Sequence, residues 1–517
     1  MVACTTMFRR VLLFLIIGTV SACLQAEEVR EVKVLEVDLP GAIQLALQKN
    51  FRLEEESFGP KIATQRLRSA SGKFDPVLEW SYTYDQNLQE LRTLNNQLDV
   101  PTPLPGEELP DLFSLTSGNE IDSALAGLTP WGMTYDFGAS LNWDNDDRRN
   151  PDFTRYNSFL GVSLAQPLLR NFGTDANMAS IRIARADRAI SSWQLRQEAI
   201  DLVTECVRVY SELCFAIENL AVEIRSRQLS AQLVSDNLKR AAIGVMAPLD
   251  VLQARTDLAA REERVLVAKR AVEDNENFLK QLITDEIEGL LGLRVRPTPP
   301  RIPQMNRADI EKDFARAFEL RPDYKQALLD IQKKQINVVF TRNQALPRLD
   351  LVASFGVNGI DTNLADSISR TFGKDGQNVA WDVGAVFSVP VFNRTAVGER
   401  EAAQLETAQA LVGLKRLEQQ ILVEADNAAG QIETTAKRIE ATSVAREFAG
   451  KTLEAAQARL ASGTTTTFEV LQFQRDLATA EVNELRARAD HIISLAEYAR
   501  ATGTTLERNR ITFEEGQ

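Results

Sequence analysis

The residues best suited to chemistry in this sequence are two acids in a segment that occurs twice in the chain and is called here the repeated phrase. GVMAPLDVLQARTDLA at 244–259 returns as GTTTTFEVLQFQRDLA at 463–478, so that Asp250 matches Glu469. Each acid falls in the predicted first turn of a helix, where the helix dipole stabilises a carboxylate by about 0.3–1 kcal/mol. A capping role alone and an added role at a constriction are both open at this point.

Groups for catalysis or metal binding are scarce. His491 is the single histidine, and its helical surroundings indicate a solvated or packed residue. Cys206 and Cys214 would lie ~12 Å apart along one helix, beyond disulfide reach, which indicates core residues. The sequence has no Walker loop, dinucleotide fingerprint or Cys/His cluster at metal spacing. A net charge of −13 argues against a nucleic-acid partner. We therefore expect no enzymatic activity, no cofactor and no metal site.

The same phrase predicts how two helices are joined. Gly244 and Gly463 each follow a long helical stretch and suit the left-handed position that ends a helix. Pro248 suits the first turn of the return helix in one copy, and Thr466 and Glu469 have capping-box spacing in the other. The phrase therefore predicts the tip of a helical hairpin, twice.

Long helices must carry these tips. From about residue 178 to Gly244 the helix would span ~65 residues, or ~100 Å at 1.5 Å per residue. Its apolar seam steps by three and four without a break: Ile200, Val203, Val207, Tyr210, Cys214, Ile217, Ala221 and Ile224. The narrow seam leaves wide polar faces, as expected of helices packed around a water-filled space. A solid coiled-coil rod is the alternative.

The repetition extends over the whole chain. ALQKNFRL at 46–53 pairs with AFELRPDY at 317–324, and Pro76 matches Pro347 at the same shift. The order in both halves is helix, strands, long helix, tip and long helix. The first repeat is predicted at 38–296, with strands within 77–167 and a helical hairpin at 178–285. The second repeat is predicted at 308–508, with strands within 347–390 and a helical hairpin at 397–502. A C-terminal tail follows at 509–517.

The strands alternate apolar and polar residues with period two, about one bilayer crossing long. The candidates centre on residues 78–84, 133–143, 156–164, 349–355 and 381–387. An apolar face would meet lipid and a polar face water, although a soluble sandwich with one buried face fits any single strand equally well. Four or five strands are too few to close a barrel, so closure would require oligomerisation.

The N-terminus has the pattern of an export signal. Arg9 and Arg10 precede an apolar run at 11–17 that is too short to span a membrane, which predicts a removable signal peptide at 1–22. The residues before Cys23 resemble a bacterial lipoprotein box and would make Cys23 a lipidated N-terminus. Ordinary cleavage, for instance after Ala26, is the alternative.

Together these residues resemble the TolC-type outer-membrane efflux proteins over roughly 38–508. The resemblance is carried by the twofold repeat, by LPRLDLVASFG at 346–356, by LAQPLLRNFG at 164–173 and by the paired tip phrases. It implies a mainly helical homotrimer in the Gram-negative outer membrane. Each protomer would give about four strands to a twelve-stranded β-barrel in outer-membrane lipid and four helices to a periplasmic α-helical barrel.

The resemblance also implies partners and tip roles. The tips would dock onto a periplasmic adaptor protein that links the tube to an inner-membrane pump, and the family's tip acid falls on Asp250 and Glu469, which would form a periplasmic gate. The implied adaptor contacts are Gly244, Val245, Leu249, Gly463, Thr464 and Phe468. Some members have a second acid three residues later, where this chain has Gln253 and Gln472.

The first repeat departs from the second in its outer region. Pro76 and Pro167 are 91 positions apart, against 43 for Pro347 and Pro390. The extra sequence contains an acidic, proline-bearing stretch at 100–113, expected as an extracellular loop, and a strand pair around the turn TPWG at 129–132. By analogy with the family we expect this pair to extend the barrel above the membrane. Two added crossings per protomer, giving eighteen strands, are the alternative.

Two functions follow from these expectations. The first is a passive exit duct of a tripartite efflux or type I secretion system. The second is a non-conducting trimeric coiled-coil scaffold of the envelope. The alternating strands in each half favour the duct, because a scaffold does not need them.

Overall fold

The computed structural model describes residues 33–90, 113–146, 154–244, 246–285, 292–300, 313, 316–373 and 378–512. They form two compact units. The first contains Met1–Ser57, Leu195–Pro322 and Gln419–Gln517, and the second contains Phe58–Gln194 and Asp323–Glu418. The predicted signal peptide and Cys23 lie outside the described residues, as does the acidic stretch except for its last residue.

Helices dominate the chain. In chain order they are α1 Leu39–Lys49, α2 Phe51–Ser71, α3 Thr174–Asn177, α4 Ala179–Ala242, α5 Pro248–Ile283, α6 Pro322–Gln344, α7 Leu364–Thr371, α8 Arg394–Ala461, α9 Thr467–Thr502 and α10 Thr505–Arg508. The 64-residue α4 and the 68-residue α8 are the long outgoing helices that the sequence predicts, and α5 and α9 return from the tips. Among the described residues, no helix is both long enough and apolar enough to cross a membrane.

The first unit has a small parallel pair of strands that the sequence analysis did not predict. Strand β1 (Lys33–Val37) pairs with β6 (Leu293–Pro297), so that Leu35 lies opposite Val295. Tyr210 of α4 joins this pair to the helices. Its buried hydroxyl lies 2.7 Å from the Thr298 carbonyl oxygen and accepts the Thr298 N–H at 2.9 Å. The same hydroxyl lies 3.0 Å from the carbonyl oxygen of Val37 at the end of β1, so the segments at both ends of the first repeat contact one helix.

The predicted apolar seam of α4 is only partly buried. Ile200, Val203, Val207 and Tyr210 pack in the main core with α1, α5 and the β1–β6 pair. Further along, Ala221 and Ile224 are exposed. A straight α-helix has 3.6 residues per turn, so a strict seven-residue repeat drifts around it by ~20° per heptad. The buried stripe therefore moves off the predicted positions.

The second unit contains one antiparallel sheet in the order β2-β3-β4-β5-β7-β8. Its strands are β2 Val77–Glu90, β3 Phe113–Leu128, β4 Thr134–Asp146, β5 Thr154–Pro167, β7 Arg348–Asp361 and β8 Val379–Ser388. The five alternating segments that the sequence identifies lie in these strands, except that Met133 immediately precedes β4. At one end of the sheet, β2 and β7 begin after helices α2 and α6, and β5 and β8 lead into the helices that follow.

The sheet has six strands rather than the four expected by analogy with the family. The hairpin β3–β4 lies between β2 and β5. β3 pairs with the full length of β2, and β4 pairs with residues 154–165 of β5. The pair therefore lies beside its neighbours in the sheet and not beyond their ends. The reason is register: Val77 of β2 lies opposite Ala126, and Ala165 of β5 lies opposite Thr134, so the new strands begin and end with their neighbours.

A short helix lies against one face of this sheet. Helix α7 follows β7, and its Ser367 and Thr371 hydroxyls lie 3.0 and 2.6 Å from the hydroxyl of Ser158 on β5. Gly359 of β7 permits this approach, since a Cβ there would lie 2.0 Å from the Ser367 carbonyl oxygen. Ser158 and Gly359 are opposite each other in the β5–β7 register.

Candidate functional site: the hairpin tips and the two faces of the sheet

The first tip has the predicted turn chemistry. Gly244 has φ +75°, and its N–H donates to the Ala241 carbonyl at 3.0 Å. Pro248 begins α5, as the sequence predicts, and no side chain caps this end. Asp250 lies half-buried in the first turn, where a carboxylate is favoured by the helix dipole. Val245 lies outside the described residues.

The second tip is capped at both helix ends. Gly463 has φ +74°, and the N–H groups of Gly463 and Thr464 donate to Leu460 and Arg459 carbonyls at 3.2 and 2.9 Å, a Schellman motif. The Thr466 hydroxyl accepts the Glu469 N–H at 3.3 Å, which confirms half of the predicted capping box. The Glu469 carboxylate accepts from the Thr465 hydroxyl.

Matched apolar side chains project from both tips. Leu249 is 62% exposed and Phe468, its partner in the repeat, is 61% exposed. Gly244, Gly463 and Thr464 are exposed as well. The two tips therefore present a large apolar side chain to solvent at the same position of the repeated phrase. The predicted adaptor-contacting residues that the structure describes are therefore all accessible.

The two hairpins pack together behind the tips. Leu233 of α4 joins Leu453 and Ala456 of α8 and Val470 and Leu471 of α9 in one buried cluster. Closer to the tips, the Arg240 guanidinium donates to the Leu460 carbonyl at 3.3 Å, in the last turn of α8, as a second donor beside the Gly463 N–H. The tips are thus held by apolar packing and by a charged cap.

A buried ionic network also joins the hairpins. Asp257 of α5 accepts hydrogen bonds from Arg261 at 2.6 Å, from Ser230 of α4 at 3.0 Å and from Arg475 of α9 at 2.9 and 3.0 Å. The Arg261 side chain is 1% exposed and also donates to Ser226. Three helices from two hairpins therefore share one carboxylate.

The charge state of Asp257 follows from these contacts. Burial alone would raise the pKa of its carboxyl, but hydrogen bonds from Arg261 and Arg475 outweigh burial and hold the pKa below the ordinary value. The sequence alone did not reveal this site, although Asp257 and Arg475 both lie in the repeated phrase. One difference between the two copies could have indicated it. Asp257 and Asp476 match in the repeat, but the position equivalent to Arg475 is Thr256, so only one copy has a basic residue there.

The sheet of the second unit has one apolar face, defined here by the side chains on the same side as Trp80. One cross-strand row on this face reads Leu78, Leu125, Phe137, Val162, Phe355 and Trp381. Every strand contributes an apolar residue to it. The edge residues are the most exposed, with Trp80 of β2 at 69% and Trp381 of β8 at 72%.

The opposite side, called the polar face, is acidic. Its carboxylates among the described side chains are Glu79, Asp85, Glu120, Asp122, Asp136, Asp144, Asp350 and Asp382, and its arginines are Arg155 and Arg348. The two arginines pair with Asp144 at 3.5 Å and with Asp350 at 2.5 Å. A surface lined by one sign of charge concentrates counter-ions near it.

The remaining candidates are packed residues. The His491 ring is buried, with Nδ1 2.9 Å from the Thr435 hydroxyl, and burial lowers its pKa. Cys206 and Cys214 are free thiols, as the sequence predicts, and burial raises the pKa of each to about 12. In the part of the chain that the structure describes, no three His, Cys, Asp or Glu side chains are grouped to hold a metal ion.

Comparisons with known proteins agree with this architecture. The sequence model of the family described as "Outer membrane efflux protein" matches residues 120–284 and 315–504. The chain belongs to this family of outer-membrane efflux channels, and its location is the Gram-negative outer membrane, with extension into the periplasm. The strands β4 and β5, most of β3, the long helices and both tips fall within the matched segments.

Individual relatives are distant in sequence. Outer membrane protein TolC of Escherichia coli (strain K12) is 23% identical over 362 residues, which is 66% of this chain and 72% of TolC. The CmeC outer membrane channel of Campylobacter jejuni has a TM-score of 0.66 at 16% identity, over 90% of this chain and 86% of its own. VceC of Vibrio cholerae has a TM-score of 0.64 at 17% identity, over 90% and 96%. These structures establish the fold.

Proposed function

We propose that three copies of this chain form a passive exit duct of a tripartite efflux or type I secretion system. The observation that carries the proposal is the two-faced sheet. Its apolar face fits outer-membrane lipid and its acidic face fits a water-filled passage. Among the described residues, no further strand pairs with its two edge strands, β2 and β8. An edge strand with unpaired backbone groups and exposed aromatic residues is a template for another chain. A trimer that joins β8 of each copy to β2 of the next removes every edge.

The helical hairpins supply the periplasmic half of the duct. The tips would contact a periplasmic adaptor through Leu249 and Phe468, and the adaptor would connect the tube to an inner-membrane pump. Asp250 and Glu469 would form an acidic ring at the closed end, since three copies bring six carboxylates together. Lipidation of Cys23 would add an anchor in the membrane.

Single-channel recording tests this function against the scaffold alternative. The purified protein in planar lipid bilayers is expected to give discrete conductance steps, whereas a non-conducting scaffold gives none. Copurification with a periplasmic adaptor tests the partner separately. Replacement of Leu249 and Phe468 by Ser is expected to weaken that copurification and to leave the conducting trimer intact, because both side chains are exposed.

The tip acids have their own readout. Asp250→Ala combined with Glu469→Ala is expected to change the conductance or the cation preference of the open channel, because six like charges at one constriction attract cations. Unchanged current–voltage curves would limit both acids to helix capping. The matched control is Asp476→Ala, which removes an exposed acid from α9 about two helical turns beyond Glu469.

A further inference from the structure

The hairpin β3–β4 has no counterpart in the second repeat, where β7 is followed directly in the sheet by its partner β8. Its strands are nevertheless ordinary members of the sheet. β3 pairs with β2 over 14 residues, from Val77 opposite Ala126 to Glu90 opposite Phe113. β4 pairs with β5 from Thr134 to Asn145. The hairpin therefore crosses the whole height of the sheet.

The turn of this hairpin is fixed at the end of the sheet where the helices of this unit attach. The Trp131 carbonyl accepts the Gly173 N–H at 3.1 Å, immediately before α3. Gly132 has φ +99°, and a Cβ there would lie 2.2 Å from the Asn171 carbonyl oxygen. Only a glycine fits a turn so close to the base of β5. The turn is therefore not part of an extension at the opposite end.

The two faces of the sheet continue across the hairpin without interruption. Leu125 and Phe137 stand in the apolar row between Leu78 of β2 and Val162 of β5. On the polar face, the hairpin supplies four of the eight carboxylates: Glu120, Asp122, Asp136 and Asp144. Side chains of α7 also reach it on the apolar face, where Ile368 and Phe372 line a cleft together with residues of β3 and β4. The hairpin therefore has the same lipid and water sides as its neighbours.

We propose that the β3–β4 hairpin adds two membrane-crossing strands per chain, so that three copies close an eighteen-stranded wall around a wider and more acidic lumen than a twelve-stranded one. The proposal rests on the proposed function, since it assumes the trimeric duct. Six is an even number, so β8 and β2 of neighbouring copies run antiparallel, as closure requires. Barrel diameter grows roughly linearly with strand number, which widens the lumen about 1.5-fold.

The test uses variants with one introduced cysteine each, in a protein whose Cys206 and Cys214 are replaced by Ala. Each cysteine carries a nitroxide spin label, and the labelled trimer is reconstituted in lipid bilayers. Leu125→Cys and Phe137→Cys report the apolar face of the hairpin, and Val162→Cys of β5 is their control in the same cross-strand row. Ala126→Cys and Asp136→Cys report the polar face, with Ser163→Cys of β5 as control. Collision with lipid-soluble oxygen and with a water-soluble nickel chelate is measured at each site.

The labels at Leu125 and Phe137 are expected to match Val162, with high oxygen collision and little nickel collision. The labels at Ala126 and Asp136 are expected to match Ser163 and collide with nickel. Nickel access at Leu125 and Phe137 while Val162 stays shielded would overturn the proposal and place the hairpin outside the bilayer. Nickel access at Val162 as well would instead contradict the membrane sheet of the proposed function, so the two failures are distinct.

A second measurement avoids the labels. Trp143 of β4 is on the apolar face, opposite Tyr156 of β5. In single-tryptophan variants, lipids with brominated acyl chains are expected to quench Trp143 as they quench Trp381 of β8, and to leave Trp193 of α4 unquenched. Quenching of Trp381 without quenching of Trp143 would overturn the proposal.

Discussion

Asp257 and Asp476 occupy the same place in the repeated phrase, yet their surroundings differ. Asp257 is buried among Arg261, Ser230 and Arg475, whereas Asp476 is exposed and accepts from Gln472 at 3.0 Å. Two buried charges are stable only while each has its partner, because removing one leaves the other unpaired at a low dielectric. The repeat therefore provides a matched pair of acids that differ in burial and not in position.

Replacement of Asp257 by Ala is expected to destabilise the protein by about 3–5 kcal/mol, because it leaves the buried Arg261 guanidinium without its carboxylate. Asp476→Ala is expected to change stability by less than about 1 kcal/mol, since exposed pairs contribute little. Thermal unfolding followed by circular dichroism at 222 nm measures both. Equal losses in the two variants would contradict the role assigned to burial.

The same comparison has a defined pH dependence. The folded pKa of Asp257 is lowered, so its contribution is fully present above the unfolded pKa of about 3.9 and is lost as pH falls through the folded value. The stability difference between the wild type and Asp257→Asn is therefore expected to stay constant from pH 7 to pH 5 and to shrink in stronger acid. A difference that already varies between pH 7 and pH 5 would assign the effect to another group.

At the scale of secondary-structure elements, glycines at the ends of helices set the positions of the tips. Gly244, Gly463 and Gly503 all end helices with φ near +75°, but their surroundings differ. A Cβ at Gly244 or Gly463 would have no atom of the described residues within 4 Å, whereas a Cβ at Gly503 would lie 3.0 Å from the backbone of Leu320 and Arg321. The first two positions thus require only a residue that tolerates a left-handed backbone conformation. The third requires that conformation and also the absence of a side chain.

Substitution by Ala is accordingly expected to cost about 1 kcal/mol at Gly244 and at Gly463, the price of a left-handed backbone for a residue with a Cβ. Asn, which tolerates this conformation, is expected to recover part of the loss at both tips. At Gly503, Ala is expected to cost more and Asn to recover nothing. Apparent melting temperatures of the six variants measure this order, and recovery by Asn at Gly503 would contradict it.

Local pattern explains which elements the sequence predicts. The tips and the alternating strands were predictable because turn chemistry and period-two alternation act within a few residues. The β1–β6 pair was not, because its strands are five residues each and lie some 260 positions apart in the chain. The place of β3–β4 in the sheet was missed for a related reason: alternation identifies a strand but does not specify its neighbours, and family analogy favoured four strands.

At the scale of the whole molecule, two groups of acidic residues are placed where a passage would lie in the proposed trimer. Eight carboxylates and two arginines lie on the polar face of the sheet among the described side chains, and Asp250 and Glu469 lie at the tips. In the proposed trimer both sets would face the passage, one along the lumen and one at the periplasmic end. Charges that line a narrow passage raise the local concentration of counter-ions, and ionic strength screens them. A cation preference of the channel would then have two contributions, one from the polar face of the sheet and one from the tips, which can be tested by separate variants.

The lumen contribution is isolated by neutralising the hairpin carboxylates without changing their size. The variant Glu120→Gln, Asp122→Asn, Asp136→Asn is expected to lower the cation-to-anion permeability ratio, measured from reversal potentials across a potassium chloride gradient. The effect should grow at low salt, because the Debye length rises from about 10 Å at 0.1 M to about 30 Å at 0.01 M. The tip variant Asp250→Ala, Glu469→Ala serves as the comparison, since it leaves the polar face intact. An unchanged ratio in the hairpin variant, together with a reduced ratio in the tip variant, would show that selectivity resides at the tips, because carboxylates in a wide lumen are screened from the permeating ion.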